Sequence, residues 1–332
     1  MSSFSRIILL MTGFACLIPT CLTGCKATGN DSSRATTQPP FVSALAPAPP
    51  QSTDDPPAPE KTSGFDGKRA FAHVAKLVGF GPHPSGSPAI AEVQEYLLSE
   101  LKSYGCSVET NAFSSDTPAG RLPMKNILVK IPGEQPGVTL LGTHYDTKKL
   151  DNFVGADDGG SSTGVMLELA RLLCNQRGRY AVWIAFFDAE EAVKDWSETD
   201  SRYGSRQMAA RIAISGDISK IRAFLLADIV GTRTPHFKRE SSSTKWLVDL
   251  IWRTARNLGY ANIFVDESVE IDDDHDPFLK RNVPSADVID LDRDHDVPYW
   301  HTPQDTLDKI SPRSLAIVGH VFLETVKQLQ TK

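Results

Sequence analysis

The chain has 332 residues, 40% of them hydrophobic and 23% charged, with a formal net charge of −6. That length and apolar content suffice for one large α/β domain with a substantial core. The acidic balance argues against nucleic acid as a partner.

In chain order, residues 7–22 form a mostly apolar segment behind a short leader whose only charged side chain is Arg6. At roughly 16 residues the segment is short for a membrane span and has the length of a signal-peptide core. It ends in Leu22-Thr23-Gly24-Cys25, which resembles a bacterial lipoprotein signal, so residues 1–24 are expected to be removed and Cys25 to be lipidated. An ordinary cleaved signal is the alternative. The expected location is exported and membrane-anchored, on the periplasmic or extracellular face, with the lipid as the only membrane contact. Residues 25–63 are rich in Pro, Ala, Ser, Thr and Asp and carry eight of the 22 prolines. Such a stretch buries too little surface to fold and reads as a disordered tether. Of five cysteines, Cys16 and Cys21 lie in the signal and Cys25 at its end. Cys106 and Cys174 remain, so the domain at 64–332 has at most one disulfide and relies on its core.

Helical periodicity covers 68–78 and 89–104, separated by the turn-rich Gly81-Pro82-His83-Pro84-Ser85-Gly86-Ser87-Pro88. Strands at 107–113 and 126–131 read as an antiparallel pair. The pattern then alternates: strand 138–142, helix 161–174, strand 180–187, helix 204–214, strand 223–227, helix 244–258. A last strand covers 286–291, and a helix runs from 312 to about 328 with Ser311 as its N-cap. This order predicts a single α/β domain with a central mixed, mostly parallel twisted sheet and helices on both faces. Ligands bind such sheets outside the carboxyl ends of the strands. His144 and Asp146 follow one strand, Glu190 and Glu191 end the next, and Asp228 ends the third.

The apolar run 180–187 stops at Asp188-Ala189-Glu190-Glu191-Ala192, and paired carboxylates at the tip of a buried strand are costly to hold there. With Asp158 and His301 they supply the oxygen and nitrogen donors of a catalytic zinc site, which keeps three protein ligands and one open position. His73, His83, His236, His295 and His320 read as surface or locally bonded residues. Asp157-Asp158 reads equally as a charge pair at the start of the helix near Ser161.

These residues carry a family resemblance. The chain resembles the animal-type zinc-dependent glutaminyl-peptide cyclotransferases, which share the M28 aminopeptidase fold. The similarity runs from Gly81 to the C-terminus. It is carried by Pro84-Ser85-Gly86-Ser87-Pro88, Thr117-Pro118-Ala119-Gly120, His144-Tyr145-Asp146-Thr147-Lys148, Val154-Gly155-Ala156-Asp157-Asp158 and Phe186-Phe187-Asp188-Ala189-Glu190-Glu191-Ala192. Asp195-Trp196-Ser197, Tyr203-Gly204-Ser205-Arg206, Asp273-Asp274-His275-Asp276-Pro277-Phe278-Leu279 and Trp300-His301-Thr302 continue it. The resemblance implies one zinc per chain on Asp158, Glu191 and His301, and it alone selects Asp158 over Asp157. It makes Glu190 the general acid and base, with Asp228 and Asp273 in an acidic network behind it. Trp196 and Trp300 match tryptophans of the substrate pocket, and Asp272 stands where animal members have a glutamine. Thr143 and Thr163 replace a disulfide of the animal members, and Asp287 replaces a histidine near the pocket.

The implied reaction is cyclisation of an N-terminal glutamine of peptides or proteins to pyroglutamate with loss of ammonia, performed by a monomer. The alternative within enzymes is an M28-type zinc aminopeptidase, because His144 and Asp228 complete a two-metal set with Asp158, Glu191 and His301. Against it stands the segment 193–200 around Trp196, which resembles the cyclase form of that loop. A non-catalytic envelope lipoprotein on the same fold is the third reading.

Overall fold

A computed structural model describes residues 54–291 and 297–331; the signal segment, Cys25 and most of the tether lie outside the described residues. All described residues belong to one compact unit, Pro50–Lys332. Within residues 54–63, read as the end of the tether, Pro59–Lys61 form a 3-10 turn. Thr62 is buried there, its hydroxyl donating to the Phe65 carbonyl at 2.6 Å.

Helix α1 (Gly67–Val78) starts where the Asp66 carboxylate accepts the Lys68 and Arg69 N–H groups. Helix α2 (Pro88–Ser103) starts where Ser87 accepts from Ile90, with proline at its first position. Strands β1 (Val108–Thr117) and β2 (Gly120–Ile131) form the expected antiparallel pair. The turn between them is the Thr117-Pro118-Ala119-Gly120 block, closed by Gly120 at φ 98°. There follow β3 (Gly133–His144), α3 (Gly160–Leu173), β4 (Gly178–Phe187), α4 (Tyr203–Ile214), β5 (Ile221–Asp228), β6 (Phe237–Glu240) and α5 (Lys245–Asn257). The chain ends with β7 (Phe264–Val269), α6 (Asp276–Leu279), β8 (Ser285–Ile289) and α7 (Pro312–Thr331).

The main sheet has the order β1-β2-β4-β3-β5-β8; β3, β4, β5 and β8 run parallel and the β1–β2 hairpin antiparallel. Successive strand residues face opposite layers. In β5, Leu225 and Ala227 pack with Val74, Val165, Ile251 and Val318 of the helices on one face. Phe224 and Leu226 pack with Met208, Ala209 and Ile212 of α4 on the other. Two-sided burial explains why these strands read as continuous apolar runs.

The two-stranded parallel sheet of β6 and β7 is not among the elements expected from the sequence. Both strands are short, and much of β7 is exposed and charged, so neither shows a clear period. Cys106 and Cys174 form a disulfide between the β1 approach and the end of α3. The Thr143 hydroxyl donates to Ser162 Oγ at 2.7 Å, and that of Thr163 to the His144 carbonyl at 2.7 Å.

Candidate active site

The strands β4, β3 and β5 are neighbours in register, His144 opposite Phe187 and Gly142 opposite both Ala185 and Leu226. Their carboxyl ends therefore open onto one edge. At the end of β4, Ala189 adopts a left-handed backbone, φ 56°, and turns the chain. The Asp146 carboxylate then receives the N–H of Glu190 at 3.0 Å and that of Glu191 at 3.4 Å. The Glu190 carbonyl accepts from the Arg202 N–H at 2.6 Å. This turn lets two adjacent glutamates serve one site, which an extended strand forbids.

Two groups of donors converge at the edge, His144, Asp158 and Asp228 in one and Asp158, Glu191 and His301 in the other, each with one atom per residue within 4.8 Å of the rest. His144 Nε2 lies 3.0 Å from Asp228 Oδ1 and 3.3 Å from Asp158 Oδ1. His301 Nε2 lies 3.2 Å from Asp158 Oδ2 and 3.1 Å from Glu191 Oε1. Asp158 Oδ2 is buried and makes no hydrogen bond of good geometry. Imidazole nitrogen with carboxylate oxygen is the donor chemistry of zinc, so the set fits that ion.

The electrostatics match this crowding. Burial opposes ionisation of Asp158, but the imidazoles of His144 and His301 hold its carboxyl below the usual range. Burial likewise opposes charging of His301, yet Asp158 and Glu191 bring it up to about 9. Glu190 is pushed well above the carboxylate range, first by burial and then by Glu191, Asp273 and Asp274, with His144 opposing. Burial and the Asp228 charge raise Asp273 to about 6.

The adjacent aspartates have different surroundings. Asp157 accepts from the Gly231 N–H at 2.7 Å and the Tyr299 hydroxyl at 2.7 Å, so both its oxygens are engaged away from the histidines. Asp305 accepts the N–H groups of Asp157 at 2.8 Å and Asp158 at 3.1 Å. That brace leaves the Asp158 carboxylate facing His144 and His301.

A cavity of about 510 Å³ is lined by Asp158, Glu190, Glu191, Trp196, Asp228, Asp272, Asp273, Trp300 and His301. All the site residues read from the sequence thus share one cavity, except His144, which is buried behind it, and Cys25. Trp300 stacks on His301 at 3.6 Å and 17°, and Phe153 meets the same imidazole edge-on. Lys148 Nζ sits 3.1 Å from Glu191 Oε2. Asp287 is fully buried beside Asp273 and Asp228. The histidines set aside have local partners: His73 meets Tyr96 and Tyr104, His83 the Gly81 carbonyl, His320 Tyr260; His295 lies outside the described residues. The sequence places Asp146 at a strand end without a specific role, and gives none to Lys148 or Asp305. Only Asp305 lay outside the quoted motifs, and its one signal was an acid shortly after His301.

The model of peptidase family M28 matches residues 126–326. A glutaminyl-peptide cyclotransferase of Gloydius blomhoffii is 31% identical over 284 residues, covering 72% of this chain and 76% of that protein. The crystal structure of an Acidobacteriales bacterium glutaminyl cyclase superposes with a TM-score of 0.76 at 38% identity, covering 86% of this chain and 99% of that one. A Zn-dependent exopeptidase of Parabacteroides distasonis gives a TM-score of 0.71 at 30% identity, covering 79% and 98%. The chain belongs to peptidase family M28, among the glutaminyl-peptide cyclotransferases of that family.

Proposed function

We propose that the chain is a zinc-dependent glutaminyl-peptide cyclotransferase that converts the N-terminal glutamine of peptides or proteins to pyroglutamate and ammonia. Asp158, Glu191 and His301 would hold one zinc. The observation that carries the reading is a third carboxylate, Glu190, which lines the same cavity as that trio, Trp196 and Trp300 and belongs to neither donor group. When bound, the ion supplies Lewis-acid polarisation of the substrate's side-chain amide oxygen. The substrate's α-nitrogen bonds to the amide carbon, the amide C–N bond breaks, and no water is consumed. Glu190 takes a proton from the attacking amine and returns it to the departing nitrogen, which leaves as ammonia. A raised proton affinity suits it to carry that proton, and Asp228 and Asp273 support it from behind. Trp196 and Trp300 wall the substrate side chain and exclude water; Asp272 lines the same wall.

One observation favours the aminopeptidase reading: the second donor group, His144, Asp158 and Asp228, provides for a second metal. The deciding experiment measures zinc per chain together with ammonia release from a glutaminyl peptide and cleavage of an amino-acid amide. One zinc with ammonia release supports the cyclase. Two zincs with cleavage and no cyclisation refute it.

Export and acylation at Cys25 are part of this proposal. The Cys106–Cys174 disulfide supports export, since such bonds persist in oxidising compartments. Cys25→Ala is expected to abolish lipidation, and an unmodified mature N-terminus elsewhere in the wild-type protein, found by mass spectrometry, refutes the assignment.

A further inference from the structure

Arg202 is the N-cap residue of α4, has a left-handed backbone with φ 52° and is 1% exposed. Each property is unfavourable for arginine. A left-handed N-cap suits glycine or asparagine, and a buried guanidinium is costly unless its donors are met. A locally disfavoured residue held by its surroundings points to a contact that the site requires.

The contacts of Arg202 tie together segments that flank the pocket. Nη1 donates to Asp276 Oδ2 at 2.6 Å, Nε to Ser201 Oγ at 3.2 Å, and Nη2 lies 3.7 Å from Glu198 Oε1. The guanidinium carbon sits 5.3 Å from the centre of the Trp196 ring. The backbone N–H of the same residue donates to the Glu190 carbonyl. One side chain thus joins the loop bearing Trp196 to the segment that follows Asp272 and Asp273.

Trp196 needs such support. Its side chain is on a loop between Glu191 and α4 and is 41% exposed. Asp200 gathers the loop backbone by accepting the N–H groups of Val193, Lys194 and Asp195. Those bonds fix the main chain and do not reach the indole. The flat, permanently charged guanidinium beside the ring restricts it, which a lysine ammonium does less well.

We infer that Arg202 is a positioning residue that holds Trp196 as a wall of the substrate pocket and so sets the KM for the glutaminyl substrate. The inference rests on the cyclase reading of that pocket. Its test is a double-mutant cycle on Arg202→Lys and Trp196→Ala, with KM and kcat measured for ammonia release from a glutaminyl peptide. Each single substitution is expected to raise KM on the order of tenfold, and the double variant no more than the larger single effect. Multiplying effects, or an Arg202→Lys protein that loses kcat at unchanged KM, overturn the inference. If Arg202→Lys does not fold, Asp276→Asn, which removes the charge facing Nη1, takes its place in the cycle. A readout free of activity separates this inference from the cyclase reading. The Trp196 fluorescence, isolated by difference against Trp196→Phe, is expected to become more accessible to acrylamide in Arg202→Lys. If the wild-type protein releases no ammonia, the cyclase reading fails, and the quenching result decides alone: unchanged accessibility overturns the role of Arg202.

Discussion

Asp305→Asn tests how the proposed zinc site is braced. The Asp305 carboxylate is fully buried and accepts two main-chain N–H groups, from Asp157 at 2.8 Å and from Asp158 at 3.1 Å. It thereby ties the loop carrying His301 to the loop carrying Asp158. Asparagine keeps the shape but turns one acceptor into a donor that faces an N–H. One charge-assisted bond is lost and one buried N–H is orphaned, a combined cost of about 2–4 kcal/mol. Some of this is offset, because burial and the charges of Asp157 and Asp158 push the Asp305 carboxyl well above its usual range, and the neutral amide removes that repulsion. The expected net loss is about 1–3 kcal/mol, which for a domain of this size lowers Tm by roughly 2–10 °C. Displacement of Asp158 is expected to weaken zinc binding about 10–100-fold, as for other residues that orient ligands. Thermal unfolding and competition with a chromogenic chelator measure the two effects, and excess zinc should restore turnover. An unchanged Tm and zinc affinity, or lost turnover with zinc affinity intact, refutes the brace.

Glu190→Gln should retain zinc and lose turnover on the order of 10²-fold or more, whereas Glu191→Gln should lose zinc first; metal analysis beside ammonia release separates the two. Replacing Cys106 and Cys174 together by serine opens a loop with a sequence separation of 68. Chain entropy puts the loss at about 4 kcal/mol, read from urea unfolding, and reducing agent should bring the wild-type protein to the same midpoint. Burial works against ionisation of Glu240, but His275 and the Ser242 and Ser243 groups hold its carboxyl at about 2, below the ordinary 4.5. The stabilisation is therefore complete above pH 4.5 and is lost as pH falls through about 2, so Glu240→Gln should flatten the fall in unfolding free energy between pH 5 and 2. An equally steep fall in that variant would show that other groups carry it.

The parallel core of the sheet was legible because 138–142, 180–187 and 223–227 are largely buried and are written as apolar runs, with helical segments between them. The order β4-β3-β5 was not. Local periodicity carries no statement of which strands are neighbours, and that order sets the carboxyl ends bearing His144, Glu190, Glu191 and Asp228 side by side. The β6–β7 pair is not legible in the sequence because its short segments acquire their partners only in the folded chain.

The sequence by itself determined the class of the fold and the chemical types at the strand ends, since both depend on local pattern and residue identity. Resemblance carried the choice of Asp158 over Asp157; spacing could not, because the two are adjacent and chemically identical. Tertiary structure distinguishes their surroundings. Gly231 and Tyr299, distant in the chain, occupy the Asp157 oxygens, and Asp305 aims the other carboxylate at the histidines. The paired glutamates follow the same logic. Their presence was visible in the chain, but their sharing of one cavity depends on the turn at Ala189 and on Asp146, whose two oxygens receive both N–H groups. Hydrogen bonds between residues far apart in sequence decide which of two identical side chains faces the site, and no local pattern encodes them.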